Sequence, residues 1–200
     1  MRIVAGRHKG RVLLAPEGRN TRPTADRVRE SLFNILAHGE PPLTGALVLD
    51  AFAGSGALGF EALSRGAGHV TFMENDGPAA AIIAANARKL GVERQVTIQR
   101  LDATRPGRAR EACRVVLMDP PYKCGLAGPA LQALHAGGWI APDAVVVVEV
   151  AAGEAFASPV AGLAITDERR YGAARLVFLR FDPDGARPSA SREGPEPRDR

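Results

Sequence analysis

Short unbroken apolar runs and segments with helical spacing take turns along most of this chain. Ala46-Leu-Val-Leu49 is one such run, closed by Asp50 and the glycine loop Gly54-Ser-Gly56. A run of that length, ended at once by a turn, reads as a strand covered on both faces. Ala57 to Arg65 follows with Leu58, Ala62 and Leu63 at helical intervals, and Gly66 stops it. The alternation then repeats. His69 to Met73 is predicted as a strand, Pro78 to Leu90 as an alanine-rich helix ended by Gly91, and Gln95 to Leu101 as a loosely alternating strand. Arg114 to Met118 is a buried strand, Ala127 to Ala136 a short helix, and Ala144 to Val150 a β-branched strand. Leu163 to Arg170 and Ala174 to Phe181, joined through Tyr171-Gly172, read as a closing antiparallel hairpin. Strands alternating with helices predict an α/β fold with a mostly parallel sheet and right-handed crossovers.

Both ends of the chain depart from this rhythm. Ile3–Ala5 and Val12–Leu14 flank the turn Gly6-Arg-His-Lys-Gly10, which predicts a β-hairpin with Arg7, His8, Lys9 and Arg11 at its tip. Residues 15–23 are a Pro/Gly/polar linker. Thr24 to Ala37 is a helix with Val28, Leu32, Ile35 and Leu36 on one face, which Thr24 or Asp26 can cap. The tail from Asp182 to Arg200 has four prolines, both charge signs and two alanines as its apolar content, so it is expected to be disordered. The chain thus divides into a basic hairpin and linker (1–22), a main domain (23–181) and a tail (182–200).

Composition narrows the class. With 200 residues, 46% of them hydrophobic, the chain can bury one good core. Cys113 and Cys124 form neither a metal pair nor a disulfide framework, which suits a reducing cytoplasm, and the scattered histidines imply no metal. No apolar run approaches the ~20 residues of a membrane span, and no signal peptide is expected. Charge is uneven. The net +4 divides into +5 over residues 1–38 and −1 over the remainder. A basic front on a near-neutral body suggests a polyanionic partner, most often nucleic acid, and the hairpin tip is suited to gripping phosphates.

The loop chemistry allows two cofactors. Gly54, Gly56 and Gly59 satisfy the dinucleotide pattern G-x-G-x-x-G, with Glu74 twenty residues beyond Gly54 where a ribose acid belongs. Asp50 points elsewhere, because a carboxylate at that strand tip tolerates the cationic head of S-adenosylmethionine better than a pyrophosphate. Four consecutive strands end in acids: Asp50, Glu74, Asp102 and Asp119. Glu74 can accept both ribose hydroxyls, Asp102 the adenine amine, and Asp50 can face the methionine end. Asp119-Pro120-Pro121-Tyr122 decides the class. Two prolines fix their φ angles, so the Asp119 side chain and the Pro120 carbonyl can hold both hydrogens of an exocyclic amine while Tyr122 stacks on the base.

Asp-Pro-Pro-Tyr, together with the Asp50-x-Phe52-x-Gly54-Ser-Gly56 loop, resembles the class I S-adenosylmethionine-dependent methyltransferases that modify exocyclic amines. The opening Met1 to Arg11 and the segment Thr21 to Asn34 add a resemblance to the bacterial 16S ribosomal RNA guanine-N2 methyltransferase family. That resemblance covers Met1 to Phe181. It implies a Rossmann-like class I fold: a seven-stranded mostly parallel sheet with helices on both faces and an N-terminal hairpin extension. It also implies cofactor contacts at Asp50, Phe52, Gly54, Gly56, Glu74, Asn75, Asp102 and Ala103. Asp119, Pro120, Pro121 and Tyr122 would hold the base. RNA would meet Arg7, Lys9, Arg11, Arg22, Thr24, Arg27 and Arg29. The implied partner is 16S rRNA or a small-subunit assembly particle, and a cytoplasmic monomer without metal is expected. An adenine-N6 or cytosine-N4 methyltransferase, a nicotinamide oxidoreductase and a non-catalytic rRNA-binding protein are the alternatives.

Overall fold

The computed structural model describes residues 1–15, 23–122 and 124–182, with the backbone alone at 23–25. Arg22, most of the linker, the Thr24 side chain and the tail beyond Asp182 lie outside the described residues.

A seven-stranded sheet organises the chain. Its strands are β1 (Leu47–Ala51), β2 (His69–Met73), β3 (Val96–Gln99), β4 (Cys113–Met118), β5 (Ile140–Ala151), β6 (Leu163–Tyr171) and β7 (Ala174–Phe181), in the order β3-β2-β1-β4-β5-β7-β6. The first five run parallel, and β7 lies antiparallel between β5 and β6. Strand order reverses between β1 and β4, and in open α/β sheets the ligand crevice lies beyond the carboxyl ends of the strands at such a switch. The fold is that of the class I methyltransferases.

Each sheet face has its own core because alternate residues point opposite ways. Val48, Val70, Phe72, Val115, Leu117 and Val147 pack with α1 (Pro23–Ala37), α2 (Ala57–Ser64) and α3 (Gly77–Leu90). Leu49, Met73, Val116, Met118, Val146 and Val148 face α4 (Ala127–Ala136). Burial on both faces explains why the central strands read as continuous apolar runs.

Several expected boundaries shift. β5 extends to Ile140 rather than Ala144, and its pairing with β4 breaks register between Cys113 and Val115. β3 is shorter than expected, because Glu93–Gln95 forms a 3₁₀ turn and Leu101-Asp102 lies beyond the strand. α1 begins at Pro23, whose missing N–H costs nothing in a first turn. Thr24 and Asp26 therefore lie inside that turn instead of capping it.

The N-terminal hairpin is not seen as a pair of strands. Residues 1–14 form no strand pair; a single isolated antiparallel bridge joins Arg2 and Val12. The two arms still bond across the turn, Ile3 N–H to the Arg11 carbonyl at 3.0 Å, Gly10 N–H to the Ile3 carbonyl at 2.9 Å and Leu13 N–H to the Met1 carbonyl at 2.8 Å, while other donors of the segment go to α2. The Val4 and Ala5 N–H groups donate to the Glu61 carboxylate at 2.8 and 3.0 Å, and Arg7 N–H donates to the Ser64 carbonyl at 2.8 Å. A basic arm still exists, with Arg7, Lys9 and Arg11 exposed, but it is moulded onto the domain.

Candidate active site

The glycine loop sits at the tip of β1. Gly56 has φ +80°, the left-handed region open to glycine, and a Cβ there would meet the Phe60 ring at 2.7 Å. At Gly59 a Cβ would meet Phe72 at 2.3 Å, so this residue lets α2 lie directly on β2. Two of the three glycines in the dinucleotide-like pattern thus have packing roles, and Gly54 alone lines the adjacent cavity. Phe52 lines it too and holds φ +62°, a conformation that costs a side-chain-bearing residue about 1 kcal/mol.

That cavity, about 480 Å³, is lined by Phe52, Gly54, Glu74, Asn75, Asp102, Ala103 and Asp119 through Tyr122. Residues far apart in sequence therefore meet as anticipated. Glu74 does more than the sequence indicated. One carboxylate oxygen accepts Gly54 N–H at 2.7 Å and the other accepts Asp76 N–H at 2.8 Å, so the acid also braces the glycine loop. Asp76 in turn caps α3 by accepting Ala79 N–H at 2.9 Å. Asp102 accepts the backbone N–H and the hydroxyl of Thr104, both at 2.8 Å, and these bonds hold its carboxyl below the usual range.

Asp50 and Gly56 do not line this cavity. Asp50 lies within β1, 1% exposed, and accepts Gly59 N–H at 2.8 Å. Burial pushes its carboxyl well above the ordinary value; the Gly59 bond opposes that, and the charges of Asp119 and Glu74 add to it. Asp50 instead lines a smaller recess shared with Met1, Ala15, Ser55 and Asp119.

The donor set decides between the two cofactor classes. Glu74, Asp76, Asp102, Asp119 and Glu149 line the cavity, and among the described residues no Lys, Arg or His does. A pyrophosphate charge about 6 Å from one of these carboxylates would be repelled by about 3 kcal/mol at an effective dielectric of 20. The same acids favour a sulfonium and an ammonium, and they accept from ribose hydroxyls. The residues present fit S-adenosylmethionine.

A second cavity, about 350 Å³, opens on the α1/α2 side between Val28, Leu32, Leu58, Tyr171 and Ala173. The two cavities share Asp119, Tyr122 and Glu149 as a common wall. Glu149 was missed in the sequence, although an acid inside the apolar run Ala144–Val150 is a visible signal. Tyr122 donates its hydroxyl to the Glu149 carboxylate.

The RNA-side residues divide. Arg7 is exposed and donates to the Gln95 side chain, and Lys9, Arg11 and Arg27 are exposed. Arg29 is corrected: it is buried at 4% exposure and donates to the Arg2 carbonyl and to Asp26. Its role is to pin the N-terminal arm. Among the described residues, no cluster of three or more His, Cys, Asp and Glu could hold a metal ion, and no helix is long and apolar enough to cross a membrane.

Comparison with known proteins agrees with this geometry. Ribosomal RNA small subunit methyltransferase D of Escherichia coli strain K12 is 38% identical over 149 residues, covering 74% of each chain. Its namesake from Haemophilus influenzae is 39% identical over 153 residues, covering 74% of this chain and 78% of its own. The solved structure of Escherichia coli yhhF superposes with a TM-score of 0.77 at 33% identity, covering 91% of this chain and 98% of that one. The model of the family described as conserved hypothetical protein 95 matches residues 1–180, the arm, the acid-lined cavity and the Asp119–Tyr122 wall included, and to that family this chain belongs.

Proposed function

We propose that this chain methylates the exocyclic N2 of a guanine in 16S ribosomal RNA, using S-adenosylmethionine, as a cytoplasmic monomer. The carrying observation is the wall shared by Asp119, Tyr122 and Glu149 between an acid-lined cavity and a second cavity large enough to admit a base. The substrate class comes from the relatives named as small-subunit rRNA methyltransferases.

Bound in the acid-lined cavity, S-adenosylmethionine supplies an electrophilic methyl group. The chain's own residues do the rest. Asp119 and the Pro120 carbonyl accept the two N2 hydrogens, which favours a pyramidal nitrogen and aims its lone pair. The fixed φ angles of Pro120 and Pro121 keep these acceptors in place, so most of the rate gain comes from positioning. As positive charge builds on N2, the Asp119 carboxylate stabilises it. The extra proton leaves after transfer. The base must first be unstacked, at a cost of a few kcal/mol that is smallest in a loop.

Mass mapping of nucleotides methylated when under-modified small-subunit particles meet enzyme and cofactor tests this directly. A single N2-methylguanosine is expected; N6-methyladenosine or N4-methylcytidine would replace the reading with one of its alternatives. The nicotinamide reading predicts stabilisation by NAD(H) in a thermal shift, where stabilisation by S-adenosylmethionine alone is expected.

Two further outcomes follow from the site. Glu74→Ala removes the ribose acceptor and the loop brace together. Its cofactor affinity by calorimetry should fall about 10- to 100-fold, the range for lost hydrogen bonds to a charged group. An unchanged dissociation constant would refute the assignment. Replacing Arg7, Lys9 and Arg11 with alanine should weaken RNA binding and flatten its salt dependence by about two to three units of slope. A slope equal to wild type would show that RNA meets another surface.

A further inference from the structure

We propose that Glu149 reads the N1–H of the target guanine, and so selects guanine over bases whose amino group adjoins an unprotonated ring nitrogen. The inference rests on the methyl-transfer reading above and adds to it the origin of base choice.

The sheet register brings the two acids together. Leu117 pairs with Val147 and Met118 with Val148 across β4 and β5. Asp119 is the first residue beyond β4 and Glu149 the next residue of β5, and neighbouring strands lie about 4.8 Å apart. Both acids line the second cavity, which opens on the α1/α2 face to which Leu117 and Val147 also point. Two carboxylates therefore stand side by side on the wall where the base must sit.

Guanine presents a matching edge. Its N2 amine and N1–H are adjacent donors, so an acceptor pair one strand spacing apart can take both at once. Adenine and cytosine present an amine beside an unprotonated nitrogen. With Asp119 holding their amine, that nitrogen's lone pair would face the Glu149 carboxylate. A buried acceptor facing an acceptor is the mismatch that discriminates most strongly, because neither group regains its bond to water.

Glu149 has the capacity for the task. A carboxylate offers about four acceptor sites, and the Tyr122 hydroxyl occupies one. Burial raises the Glu149 carboxyl above its ordinary value while the Tyr122 bond opposes that shift, and a bound N1–H adds a second donor favouring the ionised form. The same Tyr122 bond would hold the carboxylate in place while the Tyr122 ring lies against the base.

The competing role is a brace that does nothing but hold Tyr122. The two are separated with the full-length chain and an rRNA substrate carrying either guanosine or 2-aminopurine at the mapped position. 2-Aminopurine keeps the N2 amine but has no N1–H. Wild type should prefer guanosine by about 100-fold in kcat/KM. Glu149→Gln, whose amide can donate to the bare N1, should narrow that preference to within about tenfold. Tyr122→Phe, which removes the brace and keeps the carboxylate, should leave the preference near its wild-type value even as the rate falls.

In a variant too slow to assay, competition binding of the two RNAs gives the corresponding ratio of dissociation constants, expected to narrow in the same direction. Glu149→Ser, whose hydroxyl can donate or accept, serves if the amide variant fails to fold. A wild type that treats both substrates alike, a Glu149→Gln ratio equal to wild type, or equal narrowing by Tyr122→Phe would each overturn the proposal. A wild type that methylates no guanosine RNA would remove the parent reading, and the role of Glu149 with it. Methylation with an unaltered ratio removes only the latter.

Discussion

Asp119→Ala is expected to slow methyl transfer on the order of 10²- to 10⁴-fold while S-adenosylmethionine affinity stays within a few-fold of wild type. The asymmetry follows from position. Asp119 stands on the wall between the two cavities, whereas Glu74, Asp76 and Asp102 hold the glycine loop and ribose side through bonds to Gly54, Asp76, Ala79 and Thr104. Alanine removes both the acceptor that orients the amine and the charge that stabilises it as positive charge develops. Asp119→Asn keeps an acceptor oxygen without the charge and should fall between wild type and alanine. Single-turnover rates at saturating cofactor, beside calorimetric titration of each variant, decide the matter. Near-normal turnover in Asp119→Ala would remove this residue from the chemistry, and a matching loss of cofactor binding would make it a cofactor ligand instead.

What sequence could and could not tell is visible at particular residues. The central strands and all four helices were legible because double-sided burial leaves unbroken apolar runs, apolar residues recur at helical spacing, and helix ends carry glycines such as Gly91, here at φ +70°. The acids of the cavity were legible because strand tips in a parallel sheet converge on one edge. What escaped depended on tertiary partners. Ile3–Ala5 looked like a strand by local pattern, yet Val4 and Ala5 give their N–H groups to Glu61, 57 and 56 residues away. Arg29 looked like a solvent-facing helix charge, and only the packing of α1 against the arm buries it. Asp50 seemed to belong to the cofactor cavity because β1 was expected to end there; one further strand residue, Ala51, leaves it buried beneath Gly59. Glu149 had a signal in the sequence, but its meaning required the β4–β5 register.

Glu61→Ala should be the most damaging substitution outside the site, destabilising the chain by about 3–5 kcal/mol. Glu61 is fully buried in α2 and its carboxylate is the hub of the N-terminal attachment. It accepts Val4 and Ala5 N–H, accepts the Arg65 guanidinium at 2.8 Å, and lies 3.7 Å from that of Arg29. Both arginines are themselves largely buried, with side chains 11% and 5% exposed. Alanine therefore leaves two backbone donors and the Arg65 Nε–H without their acceptor, and takes a nearby charge from Arg29, which keeps Asp26 and the Arg2 carbonyl. Breaking a buried pair in this way costs far more than the pair contributes on balance, because the partners' desolvation is no longer offset. For a domain of this size each kcal/mol is worth about 2–4 °C, so the melting temperature should fall by about 6–20 °C. The damage should also be local. Limited proteolysis within residues 1–15 should accelerate ahead of the remaining domain, and RNA affinity should fall with it, since Arg7, Lys9 and Arg11 ride on the same arm. A Glu61→Ala protein with wild-type melting and an intact arm would show that the attachment rests on Ile3 and Leu13 packing and on the bonds to Ser64, Asn86 and Arg29.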